Sequence, residues 1–436
     1  MIPKLSFRFH NMMEYSLFFV LFLMMFMPFE QKYLKVILLV VVSILALIKA
    51  VKTNSTKIHM KVVVWFLFLI TTGIFFEFWG VLNESVDALM VFPVFVIWPI
   101  CYFIIFMAMR RIQAVRGLLF MMILSAFVIS IYSELYILSM LEIIPSFFIF
   151  KIVDQAVVAV NAEFLSYFMA SITSMLFLVP FGISAFMLWD DRDEMPIKRN
   201  FILITIIVSF GPIIFSQSRI FWVLLILAPA LTLIFVKFLP ITCSATRGHF
   251  CVKVVKKVIL NIFFFFLLLV LVFHSYIFEF MNYVSQSDTF MSALTFTDYG
   301  SNVRGEQKDK LLEGWSNVPF LGAGHGASLH DYHSSSIAPW AYEQTFFALL
   351  FQTGIIGTSI YLILISLIVF FGLKIVSRSE NDALYIIPLL VGMVCFLVAN
   401  LSNPYLYAFD YLWTLFVPLM CINFFIVHRV RMCREG

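Results

Sequence analysis

Residues 280–342 read FMNYVSQSDTFMSALTFTDYGSNVRGEQKDKLLEGWSNVPFLGAGHGASLHDYHSSSIAPWAY, a long stretch that no bilayer would accept. It is bracketed by VILNIFFFFLLLVLVFHSYIF at 258–278 and TFFALLFQTGIIGTSIYLILISLIVFFGL at 345–373. Either flank is long enough to cross a hydrocarbon core of roughly 30 Å as a helix, which takes about 20 residues. The polar segment is therefore a loop held between two membrane spans, and it carries most of the chain's functional signal.

Working outward, the rest of the sequence repeats the flanks. The chain has 436 residues, 62% of them hydrophobic and 12% charged, with a mean hydropathy of +1.01. That composition excludes a soluble globular protein. Lipid satisfies no backbone polar group, so each apolar run must be a helix. Apolar runs centre on 15–29, 33–50, 62–80, 89–109, 117–141, 164–189, 201–216, 220–236, 258–280, 345–373, 383–399 and 404–427. The expected fold is an all-α polytopic membrane protein of about 12 transmembrane helices, with one large extracytoplasmic loop between helices nine and ten. It forms a single integral membrane domain, 1–436, with 281–342 as the loop within it.

Lysine and arginine accumulate in cytoplasmic loops. Twelve spans with both termini cytoplasmic put most of the 29 basic residues inside and residues 281–342 outside. The basic start and first apolar run lack a small-residue cleavage site, so the first helix is expected to be retained. None of the six cysteines falls in an outer segment, and no extracytoplasmic disulfide is expected. The net charge of +4 follows from topology and gives no reason to expect nucleic-acid binding. A second outer segment, 142–163, is mostly apolar and is expected to lie at the interface as short helices.

Inside the long loop, Ser301 or Asn302 can cap a helix running to about Trp315, stopped by Asn317-Val318-Pro319. Arg304, Leu311 and Trp315 share one face of it. Gly322, Gly324 and Gly326 then predict a flexible loop.

Arginine is scarce on the outer side, where the topology leaves Arg219 and Arg304. A guanidinium near the membrane surface either snorkels to headgroups or serves a functional anion. Two of them suit a pyrophosphate, which the planar fork binds bidentately. Glu343 opens the tenth span and is a candidate base, where partial burial would favour proton uptake. His325, His330 and His333 are rivals. Their spacing matches no tight metal-ligand pattern, so no metal and no cofactor is expected. GAGHGA lacks the Lys-Ser/Thr ending of a phosphate-binding loop and reads as a plain turn. Asn403, Asp410, Tyr405, Tyr407 and Tyr411 read as a sugar-lining group or an interfacial aromatic belt.

SQSR at 216–219, the series Arg304, Trp315 and PFLGAGHG through Gly326, and GIIG at 354–357 together resemble the O-antigen polymerase and O-antigen ligase superfamily. The resemblance covers about residues 216–357. It implies a metal-independent glycosyltransferase in the bacterial inner membrane, with its active site facing the periplasm. The donor would be an undecaprenyl-pyrophosphate-linked glycan, and a chain-length regulator and a flippase would be partners alongside membrane lipids. Carried over by position, Arg219 and Arg304 engage the pyrophosphate. Trp315, Gly322, Gly324, His325, His333, Tyr342 and Gln344 belong to the substrate-binding set. The ligase branch typically has His followed by Asn where this chain has Glu343-Gln344, so Glu343 or His333 takes the base role. Polymerase is the first expectation, ligase the alternative, and a transporter of lipid-linked sugars the reading from another class.

Overall fold

The computed structural model describes residues 12–52, 58–85, 87–105, 111–140, 142–145, 157–161, 164–168, 170–189, 197–216, 218–239, 299–330, 332 and 338–435. Twelve helices run through them: α1 Met12–Phe26, α2 Lys32–Lys52, α3 Met60–Leu82, α4 Ala88–Ile105, α5 Ile112–Met140, α6 Ile172–Leu188, α7 Arg199–Phe215, α8 Arg219–Val236, α9 Tyr299–Asn317, α10 Thr345–Val376, α11 Glu380–Ala399 and α12 Trp413–Glu435. Among the described residues seven helices are long and apolar enough to cross a membrane, and α1, α6 and α7 are shorter apolar helices. The architecture is that of a polytopic helical membrane protein. The span expected at 258–280 lies outside the described residues.

Within the helices the backbone bonds to itself, and many hydroxyls do the same. Ser43, Ser125, Ser130, Thr205, Ser209 and Thr232 each donate to the carbonyl four residues back, which satisfies these hydroxyls inside their own helices. Ser130 also bonds Ser209 at 2.9 Å, joining α5 to α7. The core is centred on α11, which packs against α6. Indole N–H groups pin neighbouring helices: Trp65 donates to the Leu364 carbonyl and Trp189 to the Leu384 carbonyl.

Two expectations are corrected. Residues Val157–Asn161 and Phe164–Phe168 form an antiparallel hairpin in the register Val157 to Phe168 and Asn161 to Phe164. The sequence reading put interfacial helices over the first strand and the start of a span over the second. Runs such as VVAV favour the strand because β-branched side chains lose rotamer freedom in a helix.

The second concerns Asp410, read from the sequence as a sugar-lining or belt residue, whose carboxylate is taken up in a buried ion pair. It is 1% exposed and paired with Lys35, itself 0% exposed. The Lys35 ammonium also donates to the Met27 carbonyl, and the Phe29 N–H donates to the second Asp410 oxygen. A buried charge persists only when paired and hydrogen-bonded, and this one staples the α1–α2 turn to the segment leading into α12.

Candidate active site

Helix α9 stands where the sequence places it and ends at Asn317. Its Leu311 face packs with Ala327, Tyr342, Ala348 and Phe351, and Trp315 lies against the same cluster. The Trp315 indole donates to the Pro319 carbonyl at 3.0 Å, folding the chain back just after the helix. Gln307, 1% exposed, accepts the Gln344 N–H at 2.9 Å and so ties α9 to the residue that begins α10.

That tie brings the first two candidate residues together. Arg304 Nε donates to Glu343 Oε2 at 2.9 Å, with the two side chains 42% and 44% exposed. Among the described residues one nitrogen of the guanidinium is bonded to a carboxylate, and the fork has further donors with which to take a second anion. Tyr405 sits close enough to feel both charges. Burial pushes its phenol up, with Arg304 pulling down and Glu343 pushing up. A short anchor holds this edge, because the Thr345 hydroxyl donates to the Asn403 carbonyl at 2.7 Å.

Below the pair, α10 is broken. Gly354 has φ 60° and ψ −171°, which is no helical conformation. The glycine loop fills the break: Ala323 N–H reaches the Phe351 carbonyl at 3.0 Å and Gly324 N–H the Gln352 carbonyl at 2.7 Å. Ile355 N–H in turn reaches the Pro319 carbonyl at 2.9 Å and Ile356 N–H the Phe320 carbonyl at 3.2 Å. Irregular backbone at membrane depth is tolerated where protein satisfies it. The PFLGAGHG and GIIG motifs are therefore two halves of one backbone-to-backbone joint.

This overturns the plain flexible turn. Gly324 has φ +95°, and a Cβ on it would lie 2.1 Å from the Gly80 Cα; one on Gly322, at φ +66°, would lie 2.5 Å from the Gly354 nitrogen. Only glycine permits both the conformation and the approach. The end of α3 closes the other side, with Trp79 Nε1 donating to the Gly322 carbonyl at 3.0 Å and Asn83 to the Ala323 carbonyl at 3.3 Å.

His325 is wholly buried at the floor of this joint. Its N–H donates to the Phe76 carbonyl at 2.9 Å, its Nε2 shares a 2.9 Å hydrogen bond with the Tyr361 hydroxyl, and its ring stacks on Phe95 at 3.7 Å. Burial pulls its pKa down to about 3, with the Gln352 side chain opposing. A neutral imidazole this deep, bonded to Tyr361 and stacked on Phe95, supports the joint from within. Tyr342 is also fully buried. Its hydroxyl accepts from Leu329 N–H at 2.6 Å and donates to the Tyr332 carbonyl at 3.3 Å, so it is a post under the loop, and burial pushes its phenol up.

Of the other candidates, Gln344 is half-buried beside Glu343, Trp315 is half-buried about three turns along α9 from Arg304, His330 is exposed, and His333 lies outside the described residues. Arg219 opens α8 as an exposed residue and takes no part in the Arg304–Glu343 bond. Among the described residues no three His, Cys, Asp or Glu side chains converge on one point.

Sequence reasoning passed over Gln352. It is wholly buried, donates to the Ala327 and Trp340 carbonyls and accepts from the Tyr407 hydroxyl at 3.0 Å. A lone glutamine two residues before a glycine in an apolar run was the available signal. No protein-family model matches the chain, and no curated protein matches it.

Proposed function

We propose that this protein is an O-antigen polymerase, a metal-independent glycosyltransferase of the bacterial inner membrane with twelve spans, cytoplasmic termini and its site on the periplasmic face. The reading is supported above all by the Arg304–Glu343 pair, a cation for a phosphate and a carboxylate for a proton held 2.9 Å apart at the mouth of a helix. The lipid-linked pyrophosphate competes with Glu343 for the Arg304 fork and frees the carboxylate. The hydroxyl of a lipid-linked repeat attacks the anomeric carbon of the growing glycan from the opposite face. The bond from that carbon to the pyrophosphate oxygen breaks with inversion, the hydroxyl proton passes to Glu343, and the electron pair leaves on undecaprenyl pyrophosphate. Arg304, joined by Arg219, offsets the charge on that leaving group. General-base assistance is worth about 100- to 10,000-fold, and positioning by the α9–α10 frame supplies the rest. The buried glycine joint, His325 and Tyr342 hold that frame from below.

The test is elongation of purified lipid-linked repeats by the reconstituted protein without a nucleotide sugar. Glu343→Gln should lose at least about 100-fold in rate, and Arg304→Lys should shorten the product. Unchanged elongation in both variants defeats the assignment. Transfer to lipid A-core in place of repeats would make it a ligase.

A second reading has its own observation. A broken helix beside the buried, unbonded carboxyl of Glu77 is a pattern that transporters share. Translocation of lipid-linked sugar without elongation would establish it.

A further inference from the structure

Glu77 lies on α3 between Gly73 and Gly80, at the i, i+4, i+7 spacing of one helical face. On that face Gly73 abuts the Phe95 backbone and Gly80 abuts the His325 backbone. Glu77 therefore points into the layer where Phe95, His325 and Tyr361 meet. It is 4% exposed, and neither carboxyl oxygen has a hydrogen-bond partner. His325 Nδ1 is likewise buried and without a hydrogen-bond partner.

Both flanking helices are irregular here. α4 makes a π-turn over Pro93–Ile97, and α10 breaks at Gly354; such defects gather at functional sites. The carbonyls at the α10 break are already taken by the glycine loop. They do not form the oxygen cage that a metal cation requires. A carboxyl this buried, with no hydrogen-bond partner and, among the described residues, no ion-pair partner, is costly as an anion and is accommodated by keeping its proton.

We propose that Glu77, His325 and Tyr361 form a buried proton-binding site, with the proton resident on Glu77 and required for the glycine loop to stay seated on α3 and α10. The titratable groups around it are His325 from the loop, Tyr361 from α10 and, beyond Tyr361, Tyr407 from the segment before α12; α4 contributes the apolar Phe95. Loss of the proton would set a bare negative charge against neutral aromatic rings and backbone. The loop would lift, and the Tyr407–Gln352 link toward the outer site would go with it. The inference stands apart from the glycosyl-transfer reading.

The test uses the full chain in nanodiscs and dicyclohexylcarbodiimide, an apolar reagent that attacks proton-carrying carboxyls. The carboxyl proton moves to a carbodiimide nitrogen, the carboxyl oxygen adds to the central carbon, and rearrangement leaves a stable N-acylurea. Peptide mass spectrometry should find the adduct on Glu77 at neutral pH and less of it as pH rises. Sodium that protects at fixed pH would identify a metal-cation site and overturn the proposal. A thermal melt guards against a residue the reagent cannot reach. The native fold binds a proton that an unfolded chain, whose glutamates ionise near about 4.3, releases, so stability falls as pH rises. Wild type should lose about 3 °C or more between about pH 7 and pH 9, and Glu77→Gln, neutral at every pH, should fold and lose less. Absent labelling together with parallel melting of wild type and Glu77→Gln overturns the proposal, as does a Glu77→Gln protein that is less stable at neutral pH.

Discussion

Lys35–Asp410 and Arg304–Glu343 are the same chemistry in opposite surroundings. The first is sealed at 0% and 1% exposure with two backbone groups completing its bonds, and the second stands 42% and 44% exposed with one bond between its members. A sealed pair is locked, because separating it would strand a charge in an apolar interior. The open pair can exchange partners with little loss, since water compensates either member. Stapling a fold calls for the first arrangement, and admitting an anionic substrate calls for the second.

The comparison breaks most visibly at Asp410. Asp410→Ala leaves the buried ammonium alone and should cost about 3–5 kcal/mol, read as a lower melting temperature in detergent. Lys35→Met with Asp410→Leu should regain most of it, because two apolar groups need no partner. If Asp410→Ala melts like wild type, the pair is no staple.

His325 shows the other way a buried ionisable group survives, by staying neutral. Its pKa is held down to about 3, so the unfolded chain takes up a proton that the native protein refuses as pH falls below about 6.5. Stability should drop by on the order of a few kcal/mol between about pH 6.5 and pH 3, and His325→Gln should flatten that limb in pH-dependent melts. Arg304→Gln should change stability by less than about 1 kcal/mol while slowing elongation at least about 100-fold. A large melting shift in that variant would make the open pair structural. The smallest effect is ionic: a double-mutant cycle on Arg304 and Glu343 should weaken by a few tenths of a kcal/mol from low to high salt, and the same cycle on Lys35 and Asp410 should not.

Local pattern was legible in the sequence, and distant pairing was not. The helix expected from Ser301 or Asn302 to Trp315 runs from Tyr299 to Asn317, and Leu311 faces its core as its spacing predicts. Arg304 and Glu343 were each singled out by chemistry, yet nothing in the sequence says that residues 39 apart touch. Lys35 and Asp410 are 375 residues apart, and although Asp410 was noticed its partner was not. The glycine loop was misjudged for a related reason. Glycines look permissive when read alone, and their rigidity comes from backbone that the fold brings from Gly80 and Gln352.

The break in α10 also sets an order of assembly. From Ile355 to Val376 the helix rises about 33 Å at 1.5 Å per residue, enough to cross the bilayer by itself, whereas Thr345–Thr353 shares its end carbonyls with residues translated earlier. Membrane insertion can therefore precede completion of the joint. The loop, already synthesised, docks only once the broken helix is in place, so this joint is the last part of the region to be completed.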